Sequence, residues 1–249
     1  MAELGLVSIS FREHSPAEII EAVKKTPLTC IEWGSDVHAP CTDLENIREI
    51  VKMQQAAGIR CCSYGTYFRV GINRPEEVLP YIEPAKLLGT NIIRLWCGDR
   101  KPEHYSPEEL EKIYEDCRQL AAIGEENGVV FCMECHDWTL TETKESALAL
   151  MKAVSSPHFR MYWQPNQWVS EEENLAFAEQ LQPYAKHIHV FNWKGREKYP
   201  MAGATEIWKR YLGKFSPDRC LLLEHMYDER LETLQQEAQT LAKIWEEMQ

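Results

Sequence analysis

Short apolar runs recur along the chain at residues 4–9, 29–34, 59–64, 91–97, 129–136, 159–164, 187–191 and 220–225. Each reads as a strand apolar on both faces, the pattern of a parallel sheet covered on either side. Between them lie longer stretches with helical spacing, bounded by stop and start signals. Ser15 precedes Pro16 at a first helical position, where the missing N–H costs nothing. Asp43 caps a helix over 44–57 that Gly58 ends, and Ser106 with Glu109 and Ser170 with Glu173 have capping-box spacing. Further helices are expected over 16–25, 75–89, from Thr141 or Thr143 to before Pro157, near 206–212 and over 229–248. No Asn-Gly turn marks a hairpin. Eight strand-then-helix units predict an α/β fold, a single (β/α)8 TIM barrel occupying residues 1–249 as one domain. There is no Gly-x-Gly-x-x-Gly after the first strand and no phosphate-cradling Gly-x-x-x-x-Gly-Lys-Ser/Thr.

Barrel chemistry sits at the C-terminal ends of strands, which directs attention to Glu32, Arg94, Glu134, His136, Gln164, His189, Glu224 and His225. Glu134 and His136 are two residues apart and leave the same face of a strand. Glu134, Gln164, His189 and Glu224 follow one another at 30, 25 and 35 residues, about one strand plus one helix each time. Two carboxylates, an imidazole and an amide oxygen make a hard donor set suited to one divalent ion, manganese, magnesium, cobalt or zinc. Such an ion polarises a carbonyl or hydroxyl while a carboxylate, Glu134 or Glu224, takes a proton from carbon. Against this, His189 can be a satisfied core histidine, and Gln164 can bind substrate instead of metal. Glu32, His38 and His136 can hydrogen-bond hydroxyls or serve structure alone. Arg94, inside an apolar strand, can bind an anion or pair with Glu32 or Glu134. Lys194 and Arg196 can hold a phosphate or carboxylate or form a solvated loop. Trp33, Trp96, Trp138, Trp163 and Trp193 fall at or after strand ends, where rings stack on sugars or pack a barrel rim.

Composition narrows the partners. A hydrophobic fraction of 44% supports a substantial core, and a formal charge of -12 without a long acidic block disfavours nucleic acid. Nine cysteines with no secretion signal suit a reducing cytoplasm, and most fall in strand-like runs as small buried hydrophobes. No stretch approaches about 18 consecutive apolar residues, so no membrane span is expected.

With these residues in view, the whole chain resembles the sugar phosphate isomerase/epimerase group, the xylose-isomerase-like barrels that include ketose 3-epimerases, inosose dehydratases and endonuclease IV. The likeness rests on Ile31-Glu32-Trp33-Gly34, Ile93-Arg94-Leu95-Trp96-Cys97-Gly98, Met133-Glu134-Cys135-His136 with Thr139-Leu140-Thr141, Tyr162-Trp163-Gln164-Pro165-Asn166, His187-Ile188-His189-Val190 and Leu223-Glu224. It implies a divalent ion on Glu134, Gln164, His189 and Glu224, with the two glutamates as the proton-transferring pair across a planar enediolate and Arg196 near the substrate. Gln164 departs from the family's aspartate, and Gln167 stands where a histidine often follows. The implied activity is a metal-dependent isomerase or epimerase of a small sugar, sugar phosphate or related polyol carbonyl compound. An inosose-type dehydratase and a catalytically silent carbohydrate-binding barrel are the alternatives. Barrels of this group often pair, which implies a homo-oligomer.

Overall fold

The structure, a computed structural model, describes residues 2–249. Eight parallel strands close into a barrel: β1 (Glu3–Val7), β2 (Cys30–Gly34), β3 (Arg60–Val70), β4 (Ile92–Cys97), β5 (Val130–Glu134), β6 (Phe159–Trp163), β7 (Ala185–Val190) and β8 (Cys220–Leu223). Each pairs with its sequence neighbours, and β1 pairs with β8 from Glu3 opposite Cys220 to Leu6 opposite Leu223, closing the ring. The outer helices are α1 (Pro16–Val23), α2 (Leu44–Ala57), α3 (Ile82–Leu88), α4 (Pro107–Asn127), α5 (Lys144–Val154), α6 (Glu171–Leu181), α7 (Thr205–Leu212) and α8 (Leu234–Glu246). Ser15 with Glu18, Ser106 with Glu109 and Ser170 with Glu173 form reciprocal capping boxes, and Thr143 caps α5. Among the described residues no helix is long and apolar enough to cross a membrane.

Four boundaries differ from the sequence reading. β3 runs to Val70, well past the expected end, because Arg69 and Val70 pair with Trp96 and Cys97 of β4 above the barrel wall. Residues 75–81 form a 3-10 helix, since Pro80 lacks the N–H that an α-helix would use there. The last helix begins at Leu234 after a separate 3-10 turn, Leu231–Thr233. Finally, Trp193–Lys194 and Glu197–Lys198 pair as an antiparallel hairpin. Its link is Gly195-Arg196, with Gly195 at φ +58, so the turn uses a Gly-X pair instead of Asn-Gly.

Strand alternation sorts the side chains into two compartments. Ile31, Trp33, Leu95, Phe131, Met133, Met161, Trp163, Ile188, Leu221 and Leu223 belong to the main core shared with the helices. Val7, Cys30, Cys62, Ile92, Cys132, Tyr162, Cys220 and Leu222 form a second cluster that fills the barrel. Trp163 therefore does not face the mouth, contrary to its expected place in substrate binding. It shares the direction of Met161, is fully buried, and packs edge-on against Trp208 and Tyr211 with ring centroids 6.2 and 5.3 Å away. Replacing Trp163 by Ala should lower the unfolding free energy by about 3–5 kcal/mol. Urea unfolding followed by circular dichroism measures this, and Trp163→Phe should keep most of the lost stability.

Candidate metal and proton-transfer site

Above the apolar filling, the inward positions turn polar. Glu32 from β2, Ser63 from β3, Arg94 from β4, Glu134 from β5, Gln164 just after β6, His189 from β7 and Glu224 just after β8 converge at the strands' C-terminal ends. All are at least nine-tenths buried, so their charges must satisfy one another. Arg94 does this for two carboxylates: Nε donates to Glu32 Oε1 at 2.7 Å and Nη1 to Glu134 Oε2 at 2.5 Å. Ser63 Oγ donates to Glu32 Oε2 at 2.6 Å, and the Trp96 indole N–H also donates to Glu134 Oε2. Burial alone would raise the Glu32 carboxyl, but Arg94 and then His189 bring it down to about 2. Glu134 is likewise held far below the usual range, burial being outweighed by Arg94 and His189.

Gly65 makes this clamp possible. A Cβ there would lie 2.6 Å from Arg94 Nη2 and 2.7 Å from Glu32 Oε1, so only glycine lets the guanidinium lie across β3. Nothing in the sequence pattern singled out Gly65 or Ser63; their signal is only their place in β3, opposite Arg94 and Glu32 in the strand ladder.

His189 is the hub of the remaining donors. Its Nδ1 lies 3.0 Å from Gln164 Oε1, 3.2 Å from Glu134 Oε1 and 3.3 Å from Glu224 Oε2. Those separations match the roughly 3 Å edges of a coordination sphere with bonds near 2.1 Å. Glu134, His189 and Glu224 each offer one donor within 4.8 Å of the others. The set fits a divalent ion, with Gln164 as a neutral fourth donor. His189 Nε2 is buried without a hydrogen-bond partner and sits 3.7 Å from Glu32 Oε1, placing a carboxylate behind the ligating ring. Burial lowers the His189 imidazole, but Glu224 and Glu134 outweigh it and raise it above the usual range. Glu224 is lowered by His189 against burial.

The expected substrate-contacting residues divide. His136 reaches the mouth: a third of its side chain is exposed, and its ring lies 4.6 Å from that of Trp96. Its Nδ1 donates to the Asp137 carbonyl at 2.7 Å. Burial lowers its pKa, but Asp137 and Glu134 prevail and raise it to about 9. His38 is instead buried with both ring nitrogens engaged, by Ser8 Oγ at 3.0 Å and the His14 carbonyl at 3.1 Å, so it braces the first two loops. Glu32 and Arg94 are committed to each other and to Glu134 and Ser63, so neither presents a free group to a ligand. Lys194 is exposed and lines a side cavity of about 350 Å³ with Asn166 and Trp208, while Arg196 is exposed at the hairpin tip. Trp138 and His225, at φ +56 and +45, hold the left-handed backbone region just beyond β5 and β8.

A family model described as a xylose isomerase-like TIM barrel matches residues 20–243. A 3-dehydroshikimate dehydratase from Bacillus anthracis is 26% identical over 200 residues, 76% of this chain and 71% of that protein. The crystal structure of the probable 3-DHS dehydratase of petrobactin synthesis from Bacillus anthracis aligns with a TM-score of 0.76 at 18% identity, covering 97% of this chain and 99% of the other. D-psicose 3-epimerase with D-tagatose from Clostridium cellulolyticum H10 aligns at 0.67 and 15% identity, covering 99% of each chain. These relatives are enzymes, and the two structures share the fold with this chain.

The clamp sets a pH signature. Replacing Arg94 by Met removes the guanidinium shared by two buried carboxylates and should cost about 3–5 kcal/mol at neutral pH. In the wild type, the depressed Glu32 contributes stability above its unfolded value of about 4.3, and this is lost as pH falls through about 2. In Arg94→Met the same carboxyls are raised, so stability should increase as pH falls. Urea midpoints measured across this range should show the two proteins converging in acid.

Proposed function

The chain belongs to the xylose isomerase-like TIM barrel family, and on that premise we propose that it dehydrates a small polyhydroxylated ketone. A proton is removed beside the carbonyl and a hydroxyl is expelled one carbon further on. The observation that carries this reading is the unequal state of the two central carboxylates. Glu134 is tied through Oε2 to Arg94 and Trp96, and its Oε1 lies 3.2 Å from His189 Nδ1, which makes it a poor partner for taking and returning a proton. Glu224 pairs through Oε2 with His189 Nδ1 at 3.3 Å, beside Glu134, and its second oxygen is the one assigned to substrate. A two-sided exchange, as epimerisation needs, would ask both carboxylates to titrate. A one-sided abstraction asks this only of Glu224.

A divalent ion held by Glu134, Gln164, His189 and Glu224 would polarise the ketone oxygen and acidify the neighbouring carbon. Glu224 then takes the proton from that carbon, and the electron pair left behind becomes the new C=C bond as the β C–O bond breaks. His136, cationic at neutral pH and open to the mouth, gives its proton to the departing hydroxyl, which leaves as water. Trp96 packs beneath His136 and against Tyr67 at 5.2 Å, so it holds the His136 ring in place at the mouth. The dehydratase from Bacillus anthracis supports this choice of reaction, and 3-dehydroshikimate is the first compound to try. The epimerase reading keeps one specific support, the presence of two glutamates at one centre.

The test is incubation of the manganese-loaded protein in heavy water with a panel of hydroxyketones that includes 3-dehydroshikimate and D-tagatose. A product lighter by one water supports dehydration. Unchanged composition with deuterium at an inverted carbon would replace it with epimerisation, and neither change on any compound would leave a binding barrel. Glu224→Gln should lower kcat by roughly 10³-fold and His136→Gln by roughly 10²-fold. The wild-type rate should fall as pH rises through about 9, where His136 loses its proton, and His136→Gln should lack that limb.

A further inference from the structure

At the opposite end of the barrel, three thiols meet that lie far apart in the sequence. Cys30 opens β2, Cys62 is the third residue of β3 and Cys220 opens β8, and all three are at least 97% buried in the cluster that fills the barrel. Their sulfurs all lie within 4.8 Å of one another. We propose that these three cysteines form a second metal site, for a soft thiophilic ion such as zinc, at the floor of the barrel.

The geometry needs little adjustment. Zinc–sulfur bonds near 2.3 Å place three coplanar sulfurs about 4 Å apart, so a modest contraction of the cluster suffices. Three thiolates select a soft ion, whereas the upper site, with carboxylate, imidazole and amide donors, selects a harder one. Two neighbouring features suit the charge and the space. Arg60 Nη2 donates to Cys220 Sγ at 3.3 Å while its Nε donates to Glu3 Oε2 at 2.6 Å, so the guanidinium lies between that carboxylate, 3.6 Å from the same sulfur, and the anion that three thiolates and a divalent ion would leave. At Gly5 on β1, a Cβ would lie 2.5 Å from Cys30 Sγ, so the strand between β2 and β8 leaves room for the thiol. A basal cavity of about 420 Å³, lined in part by Arg60, Asn91, His187 and Cys220, reaches the cluster from solvent and leaves a path for the ion and a fourth ligand. His187, 95% buried beside it, accepts from the Cys220 N–H through Nδ1 and has no partner for Nε2. The ion would clamp β8, β2 and β3 across the seam where β1 closes the ring.

The two sites are separable by spectroscopy, because only thiolates give near-ultraviolet charge-transfer absorption with cobalt(II). Reduced, chelator-treated Glu134→Gln/Glu224→Gln protein is titrated with cobalt(II) chloride under nitrogen. The expected result is a charge-transfer band that saturates at one equivalent and disappears in proteins that also carry Cys62→Ser or Cys220→Ser. A cooperatively unfolding, reduced protein with no such band would overturn the proposal. Should the serine variants not fold, zinc K-edge absorption of the Glu134→Gln/Glu224→Gln protein decides. A shell of three sulfurs near 2.3 Å supports the site, and a shell of oxygen and nitrogen alone overturns it.

Discussion

The buried guanidinium of Arg94 is the constraint on which the mouth of this barrel depends. Two carboxylates and an arginine, none more than 2% exposed, are stable there only as a set, because each charge answers another. Arg94 uses separate nitrogens for Glu32 and Glu134, fixing carboxylates from β2 and β5 relative to each other. Gly65 is the steric condition for that arrangement, and Ser63 and Trp96 complete the hydrogen bonding. By occupying Glu134 Oε2, the clamp leaves Oε1 facing His189, so the orientation of a candidate ligand is decided by a residue that is not itself a donor.

The chemistry follows from an asymmetry. The family resemblance implies two glutamates as the proton-transferring pair, whereas the packing makes them unlike: Glu134 is bonded to Arg94 and Trp96, and Glu224 pairs through Oε2 with His189. The third group in reach of the mouth, His136, is tuned in the opposite direction by Asp137 and Glu134. An anion held in place, a second carboxylate and a cationic imidazole are the groups that the proposed elimination would use.

Much of this was legible in the chain. Eight apolar runs alternating with capped helical stretches forecast the barrel, because burial on both faces and end-capping are local signals that survive without tertiary information. The convergence of Glu134, Gln164, His189 and Glu224 followed from their positions near strand ends. For Trp163 nearness to a strand end misleads, because strand parity decides direction: one residue before Gln164, it points the other way. His38 and Arg94 carried ambiguous chemistry, and only the partners each found, Ser8 and His14 in one case and two glutamates in the other, decide their roles. The gathering of Cys30, Cys62 and Cys220 was not legible, since closure of β8 onto β1 brings together residues 190 positions apart.

The extension of β3 bears on how a barrel of this kind can diversify. Where most walls end and loops begin, Tyr67 and Arg69 are still carried on a strand that rejoins β4, and Arg69 lies 4.1 Å over the Trp96 ring. Backbone held in a ladder absorbs insertions poorly, so on this side of the entrance the shape is open to change through side chains on a fixed frame. The hairpin after β7 imposes no such rule, and a change in its length would alter the entrance without disturbing the wall.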